Sequence, residues 1–178
     1  FNDIKTIDFA VAVKSGAVSY IGAEIDEKYL AEVQKQAVNP DVVKAVADEL
    51  KVVYTPLHGV GYKMIPEIAR RIGVKHLYVV PEQSTPDGYF PTIVKPNPEY
   101  PDTFKLGIKL ADEVGSDLIF ASDPDADRMG VAARGKDGKF VCITGNQMGA
   151  LLLDYILTAY ERTGTMPPEP YAIKTIVS

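Results

Sequence analysis

Apolar residues along this chain fall into two alternating kinds of segment. Short, mainly apolar runs lie at 51–54, 76–80, 117–121, 129–133, 139–143 and 171–177, and their length and flanking turn residues predict strands. Residues 18–21 predict one more short strand. Between these runs, apolar residues recur three and four positions apart, which predicts helices. The first covers 25–38 with Tyr29, Leu30, Val33 and Ala37 on one face, and its acidic start at Asp26 and Glu27 suits a helix N-terminus. Asn39-Pro40-Asp41 breaks it and starts a second, to about residue 50, with Val42, Val43, Val46 and Leu50 facing inward. Helices follow over 62–71, 102–114 and 145–162. Pro66 is compatible with the third only in its first turn or at a kink. Thr144 is the expected N-cap of the last, whose Met148, Leu151, Leu152, Tyr155 and Ile156 are expected core positions. Residues 7–13 fit either a helix or a strand, and Asp137-Gly138 between two apolar runs signals a hairpin.

Strands alternating with helices predict a three-layer α/β/α domain with a mainly parallel central sheet, from about residue 15 to about residue 143. The long helix and the last strand then read as the truncated start of a second α/β domain. This divides the chain into 1–143 and 144–178. Composition narrows the picture further. The 178 residues suffice for one good core plus a fragment. A net charge of 19 − 24 = −5 argues against a general nucleic-acid binder and leaves local phosphate recognition by an arginine open. The single Cys142 excludes an internal disulfide and a cysteine metal cluster, and between Val141 and Ile143 it reads as a small buried hydrophobe. No apolar run has the length of a membrane span, so neither nucleic acid nor membrane is an expected partner, and a cytoplasmic location is expected. The chain starts at Phe1 without a Met and stops at Ser178 within an apolar run, so both ends read as cut from a longer protein.

The densest chemistry is Ser122-Asp123-Pro124-Asp125-Ala126-Asp127-Arg128, set between two predicted strands. Ligands of open α/β sheets bind at such strand ends. Three carboxylates at alternate positions repel one another unless a cation compensates, and a hard divalent metal with oxygen ligands does so. Pro124 stiffens the loop and Ala126 keeps it small, so that Asp123, Asp125 and Asp127 can converge. Arg128 adds a planar fork of donors suited to a phosphate. A solvated acidic turn is the plainer alternative. An EF-hand loop would need Gly and Glu where Arg128 and Arg134 stand, which removes that reading. The haloacid-dehalogenase pattern, Asp-x-Asp-x-Thr after a strand, matches in part, with Asp127 or Met129 at the Thr position.

Elsewhere the signals are weaker. Gly59 and Gly61 lie between a strand and a helix, where glycines can admit a phosphate, but Met64 stands where the dinucleotide fingerprint needs a small residue. His58 reads as a turn residue satisfying backbone groups ahead of a phosphate contact. Residues 81–101 carry prolines at 81, 86, 91, 96, 98 and 101 and form either a packed surface loop or a specificity and docking segment.

Asp123-Pro-Asp125-Ala-Asp127-Arg128 resembles the metal-binding loop of the α-D-phosphohexomutase superfamily, the phosphoglucomutase/phosphomannomutase group. Residues 55–61 (Thr-Pro-Leu-His-Gly-Val-Gly), 96–99 (Pro-Asn-Pro-Glu) and 144–149 (Thr-Gly-Asn-Gln-Met-Gly) add to the resemblance, which covers nearly the whole chain. It implies domain II of a four-domain enzyme and the start of domain III from about Thr144. It further implies Asp123, Asp125 and Asp127 as ligands of one Mg²⁺ and Arg128 as a catalytic residue that contacts a phosphoryl group or orders the loop. The phosphorylated serine, the sugar-reading loop and the phosphate clamp belong to the family's other domains, so the expected partners are those domains and a sugar phosphate. The implied activity is an intramolecular phosphotransfer, glucose 1-phosphate to glucose 6-phosphate through a phosphoserine and a bisphosphorylated sugar, with the chain alone inactive. Residues 55–61 resemble the phosphoglucomutase branch; phosphomannomutase and phosphopentomutase are the nearest alternatives. Readings from other classes are an aspartyl phosphatase of haloacid-dehalogenase type and a non-catalytic module that binds through residues 81–101.

Overall fold

The computed structural model describes residues 4–175. Two small helices, α1 (Phe9–Lys14) and α3 (Pro40–Ala45), flank the longer α2 (Ala23–Gln34). They lead into β1 (Lys51–Thr55), α4 (Gly61–Ile72) and β2 (His76–Val79). After the proline-rich stretch come α5 (Lys105–Val114), β3 (Leu118–Ser122), β4 (Met129–Arg134), β5 (Phe140–Ile143) and α6 (Gly145–Thr163). The sheet order is β2-β1-β3-β4-β5. The first three strands are parallel and the last two add an antiparallel meander. As the sequence pattern predicts, this is a mixed α/β fold with a parallel centre. Gly138, at φ 80°, makes the β4–β5 turn, with its N–H donating to the Gly135 carbonyl at 2.9 Å.

Alternation along the strands sets the layers. Val53, Ile119, Ala121 and Ala132 pack with Phe104 and Ala111 beneath α5 in a cluster that is at most 1% exposed. Gly107 lets α5 lie close, since a Cβ there would be 3.1 Å from Ile119. Residues of the opposite parity, Val52, Tyr54, Leu118 and Phe120, face Ile65, Ile68 and Ile72 of α4 across a groove of about 520 Å³. Helices therefore sit on both faces. Arg71 of α4 pairs with Glu27 of α2 at 2.5 Å and with Glu67 at 2.7 Å, tying α2 to that outer layer. Pro66 lies in the second turn of α4 and not in its first. Thr144 caps α6 in a reciprocal box. Its hydroxyl accepts from the Gln147 N–H at 3.3 Å, and its own N–H donates to the Gln147 side chain at 2.9 Å.

Several expectations need correction. Residues 18–21 form no strand; Tyr20 and Ile21 are exposed in coil, and Tyr20 meets only the edge of the Phe9 ring among the described aromatic residues. Residues 171–175 are coil with Tyr171 and Ile173 exposed, and the remainder of that expected strand, 176–177, lies outside the described residues. The second helix ends at Ala45, and Val42 and Val46 are exposed where inward faces were expected. On α6, Leu151, Leu152 and Tyr155 are exposed while Ala159 is buried. Helical spacing marks an apolar face, but burial requires a second surface against it. Residues 7–13, open between helix and strand, contribute to α1, whose N-cap Asp8 accepts from the Val11 N–H at 3.1 Å.

Candidate metal centre

The chain turns from β1 towards β2 on one side and reaches β3 on the other. The ends of β1 and β3 thus meet at the sheet's topological switch point, where open α/β sheets bind ligands. Two loops converge there, 55–61 after β1 and 123–128 after β3.

Loop 123–128 joins the antiparallel pair β3 and β4, whose last rung is Ser122 opposite Met129. It folds tightly: the Asp123 N–H donates to the Arg128 carbonyl at 3.3 Å, and the Ala126 N–H to the Asp123 carbonyl at 3.0 Å. Ala126 takes a left-handed φ of 60°. This brings one carboxylate oxygen each of Asp123, Asp125 and Asp127 within 4.8 Å of one another. The three are not equivalent. Asp123 is 0% exposed, whereas Asp125 and Asp127 face solvent. Asp123 Oδ1 accepts from the Arg128 N–H at 3.0 Å and Oδ2 from Arg128 Nε at 2.7 Å. Burial alone would push the Asp123 carboxyl up, but the two Arg128 bonds and a bond with Asp125 together hold it below the usual aspartate value. Asp127 goes the other way, raised chiefly by the charge of Asp125 and then by desolvation and Asp123. Arg128 Nε is 3.6 Å from Asp127 and offsets this in part.

The second wall explains the glycines. A Cβ on Gly59 would lie 2.3 Å from the Pro124 Cα, and the neighbouring Val60 N–H donates to the Pro124 carbonyl at 2.8 Å. A Cβ on Gly61 would lie 2.4 Å from the Tyr54 hydroxyl and 2.7 Å from Ser122 Oγ. Those two oxygens share a buried 2.7 Å hydrogen bond, and burial pushes the Tyr54 phenol up to about 12. Gly59 therefore serves close packing between the loops and Gly61 close packing on the ends of β1 and β3, which accounts for both without a nucleotide. His58 is buried and satisfies polar groups of its surroundings. Its Nδ1 is 3.3 Å from the Thr85 carbonyl and its Nε2 2.8 Å from Thr92 Oγ1. Residues 81–101 pack in part along the domain. Gln83 and Pro98 are buried, and a Cβ on Gly130 would lie 2.5 Å from Pro98, while Tyr89 and Val94 stand exposed. Sequence reading did not single out Gln83 and Thr92, which hold the 55–61 turn; nothing in their local sequence distinguishes them.

An all-oxygen donor set of three aspartates fits a hard divalent cation such as Mg²⁺ or Mn²⁺ and does not fit a soft metal. The raised Asp127 carboxyl is the mark of negative charge that Arg128 compensates incompletely. Each Asp123 oxygen accepts one bond from Arg128, which leaves the carboxylate further acceptor capacity. The half-exposed Arg128 side chain is paired with the buried Asp123, so a cation held there would share Asp123 with it or displace it.

Comparison with known proteins identifies the family. Residues 27–138 match the model of the phosphoglucomutase/phosphomannomutase alpha/beta/alpha domain II. The chain is 36% identical over 176 residues to a phosphoglucomutase of Staphylococcus saprophyticus, covering 99% of this chain and 30% of that protein. It is 38% identical over 156 residues to a phosphoribomutase of Saccharomyces cerevisiae, covering 84% of this chain and 25% of that protein. A solved structure of a putative phosphomannomutase from Thermus thermophilus superposes with a TM-score of 0.60 at 19% identity, over 79% of this chain and 30% of that one, which bears on the fold alone. The chain thus spans less than a third of the length of these relatives. It belongs to the phosphoglucomutase/phosphomannomutase family.

Proposed function

We propose that this member of the family is the metal-binding α/β part of a phosphosugar mutase that interconverts glucose 1-phosphate and glucose 6-phosphate. The observation that carries the reading is the convergence of Asp123, Asp125 and Asp127 at the switch point of a domain II sheet. A bound Mg²⁺ would supply charge neutralisation and Lewis acidity at a phosphoryl group in transfer. The chain's own residues divide the remaining work. Asp123, locked by Arg128, is the fixed inner ligand, and Asp125 and Asp127 supply the exposed oxygens. The guanidinium of Arg128 turns one edge to Asp123, and its remaining N–H groups are free to face a phosphate at the loop's rim. The nucleophilic serine, the sugar-reading loop and the phosphate clamp are assigned to other domains of a longer protein, with residues 144–178 opening the next of them. On its own the chain is inactive in this reading.

The relation to a phosphoribomutase makes a pentose phosphate the second reading, with mannose phosphate beside it. An aspartyl phosphatase is less well supported, because Asp123 is fully buried with both oxygens engaged by Arg128. The test is a phosphoglucomutase assay, with a trace of the sugar bisphosphate, on the longer protein, its Asp125→Ala variant and this chain. An active parent, a dead variant and an inactive chain are expected. Activity in this chain alone, or an unimpaired variant, would overturn the reading; a parent active only on ribose or mannose phosphates would move it to those substrates.

A further inference from the structure

We propose that a hydrogen-bond chain, Thr55–Gln83–Thr92–His58, buried except at Thr92, is a positioning device for the acidic loop; its consequence for metal affinity rests on the metal reading above. None of these residues is an expected ligand. The chain starts from a strained turn. Leu57 and His58 follow each other at φ 48° and 62°, left-handed values that non-glycine residues hold only when their surroundings over-determine them.

Here the surroundings do so, and every bond has one workable direction. The Thr55 hydroxyl donates to Gln83 Oε1 at 2.6 Å and accepts from the Leu57 N–H at 3.1 Å. Gln83 Nε2 donates to Thr92 Oγ1 at 3.0 Å. A carbonyl can only accept, so His58 Nδ1 carries the proton that faces the Thr85 carbonyl at 3.3 Å. His58 Nε2 then accepts from the Thr92 hydroxyl at 2.8 Å. The main chain of His58 is held as well. Its N–H donates to the Gln83 carbonyl at 3.0 Å, and its carbonyl accepts from the Asp87 N–H at 3.1 Å.

The output of this turn is the next two residues. Gly59 lies against the Pro124 backbone, and the Val60 N–H holds the Pro124 carbonyl at 2.8 Å. Pro124 sits between Asp123 and Asp125, so the separation of those two carboxylates depends on where the 55–61 turn stands. Thr92 joins the two halves of the network, being at once the acceptor from Gln83 and the donor to His58.

Thr92→Val removes that hydroxyl while keeping its shape, at a residue exposed enough to tolerate the change. Two readouts are taken on the 178-residue chain: hydrogen exchange of the Val60 and Arg128 amides without metal, and the Mn²⁺ dissociation constant. Thr92→Val is expected to speed exchange at both amides several-fold and to weaken Mn²⁺ binding about 10-fold, the range typical of outer-shell partners. Thr92→Ser is expected to restore both. If Thr92→Val does not fold, His58→Asn, which tolerates the left-handed turn but lacks the ring, is expected to show the same pattern. Wild-type exchange at Val60 and Arg128 in the variant, or acceleration spread evenly over the sheet with a fallen Tm, would overturn the proposal. If the wild-type chain binds no Mn²⁺, the metal reading fails, and the exchange data alone decide the positioning role.

Discussion

Asp123 and Asp127 stand at the two ends of one loop, and their surroundings oppose each other. Asp123, at the root, is fully buried, holds two bonds from Arg128 and has its carboxyl lowered. Asp127, at the tip, is exposed, faces Asp125 and has its carboxyl raised. The root is satisfied without any cation; the tip is frustrated without one. A loop built only for stability would have no reason to gather the tip carboxylates, because their repulsion costs free energy in the metal-free protein. The difference separates what folds the loop from what the loop is for.

Removing the root should have the largest effect. Asp123→Ala leaves the Arg128 N–H and guanidinium without their acceptor. The expected loss is about 2–3 kcal/mol in urea unfolding, below the usual cost of breaking a buried pair because the half-exposed Arg128 rehydrates. Asp127→Ala should leave metal-free stability unchanged or slightly higher; an equal loss in both variants would erase the distinction between root and tip.

Next in size is the contact that seats the loop. Gly59→Ala drives a methyl into the Pro124 backbone and is expected to cost about 1–3 kcal/mol. Gly149→Ala, inside α6 with nothing within 4 Å of the added Cβ, should be neutral or stabilising by up to about 1 kcal/mol. A harmless Gly59→Ala would mean that the two loops are not packed as described.

The smallest effect is the pH dependence, where root and tip have opposite signs. The Asp123 carboxyl lies below its ordinary 3.8, so its contribution is fully present above that value and is lost as pH falls through the lower, folded-state value. The Asp127 carboxyl lies above 3.8, so the folded protein holds that proton longer than the unfolded chain. Its contribution is largest below 3.8 and erodes as pH rises through the raised value. Asp127→Asn should remove only the second slope in a pH series of unfolding free energies. Loss of the acid-side slope instead would reverse the assignment.

The sequence makes the scaffold legible where local pattern and tertiary partner agree. Periodicity places α4, α5 and α6, the Asp137-Gly138 turn gives the hairpin, and Thr144 marks a cap. Pattern fails where an apolar run has no partner. Residues 18–21 and 171–175 have strand-like composition but form no strand, because strand formation depends on a neighbouring strand more than on propensity. The same limit affects the α6 face, whose spacing is helical but whose Leu151 and Tyr155 remain exposed. At the site, the three aspartates are legible because they fall at alternate positions of one short loop. The purpose of Gly59 is not, because the atom it avoids belongs to Pro124, distant in sequence. Gln83 and Thr92 are silent for the same reason: their partners Thr55 and His58 come from another segment.

In the proposed function the tip carboxylates hold a divalent cation. Isothermal titration of the chain with Mg²⁺, beside Asp125→Ala, tests it most directly. Saturable binding by the wild type at millimolar concentration or below, and its loss in the variant, is the predicted result. No binding by the wild type even at millimolar Mg²⁺, or equal binding by both proteins, would contradict it.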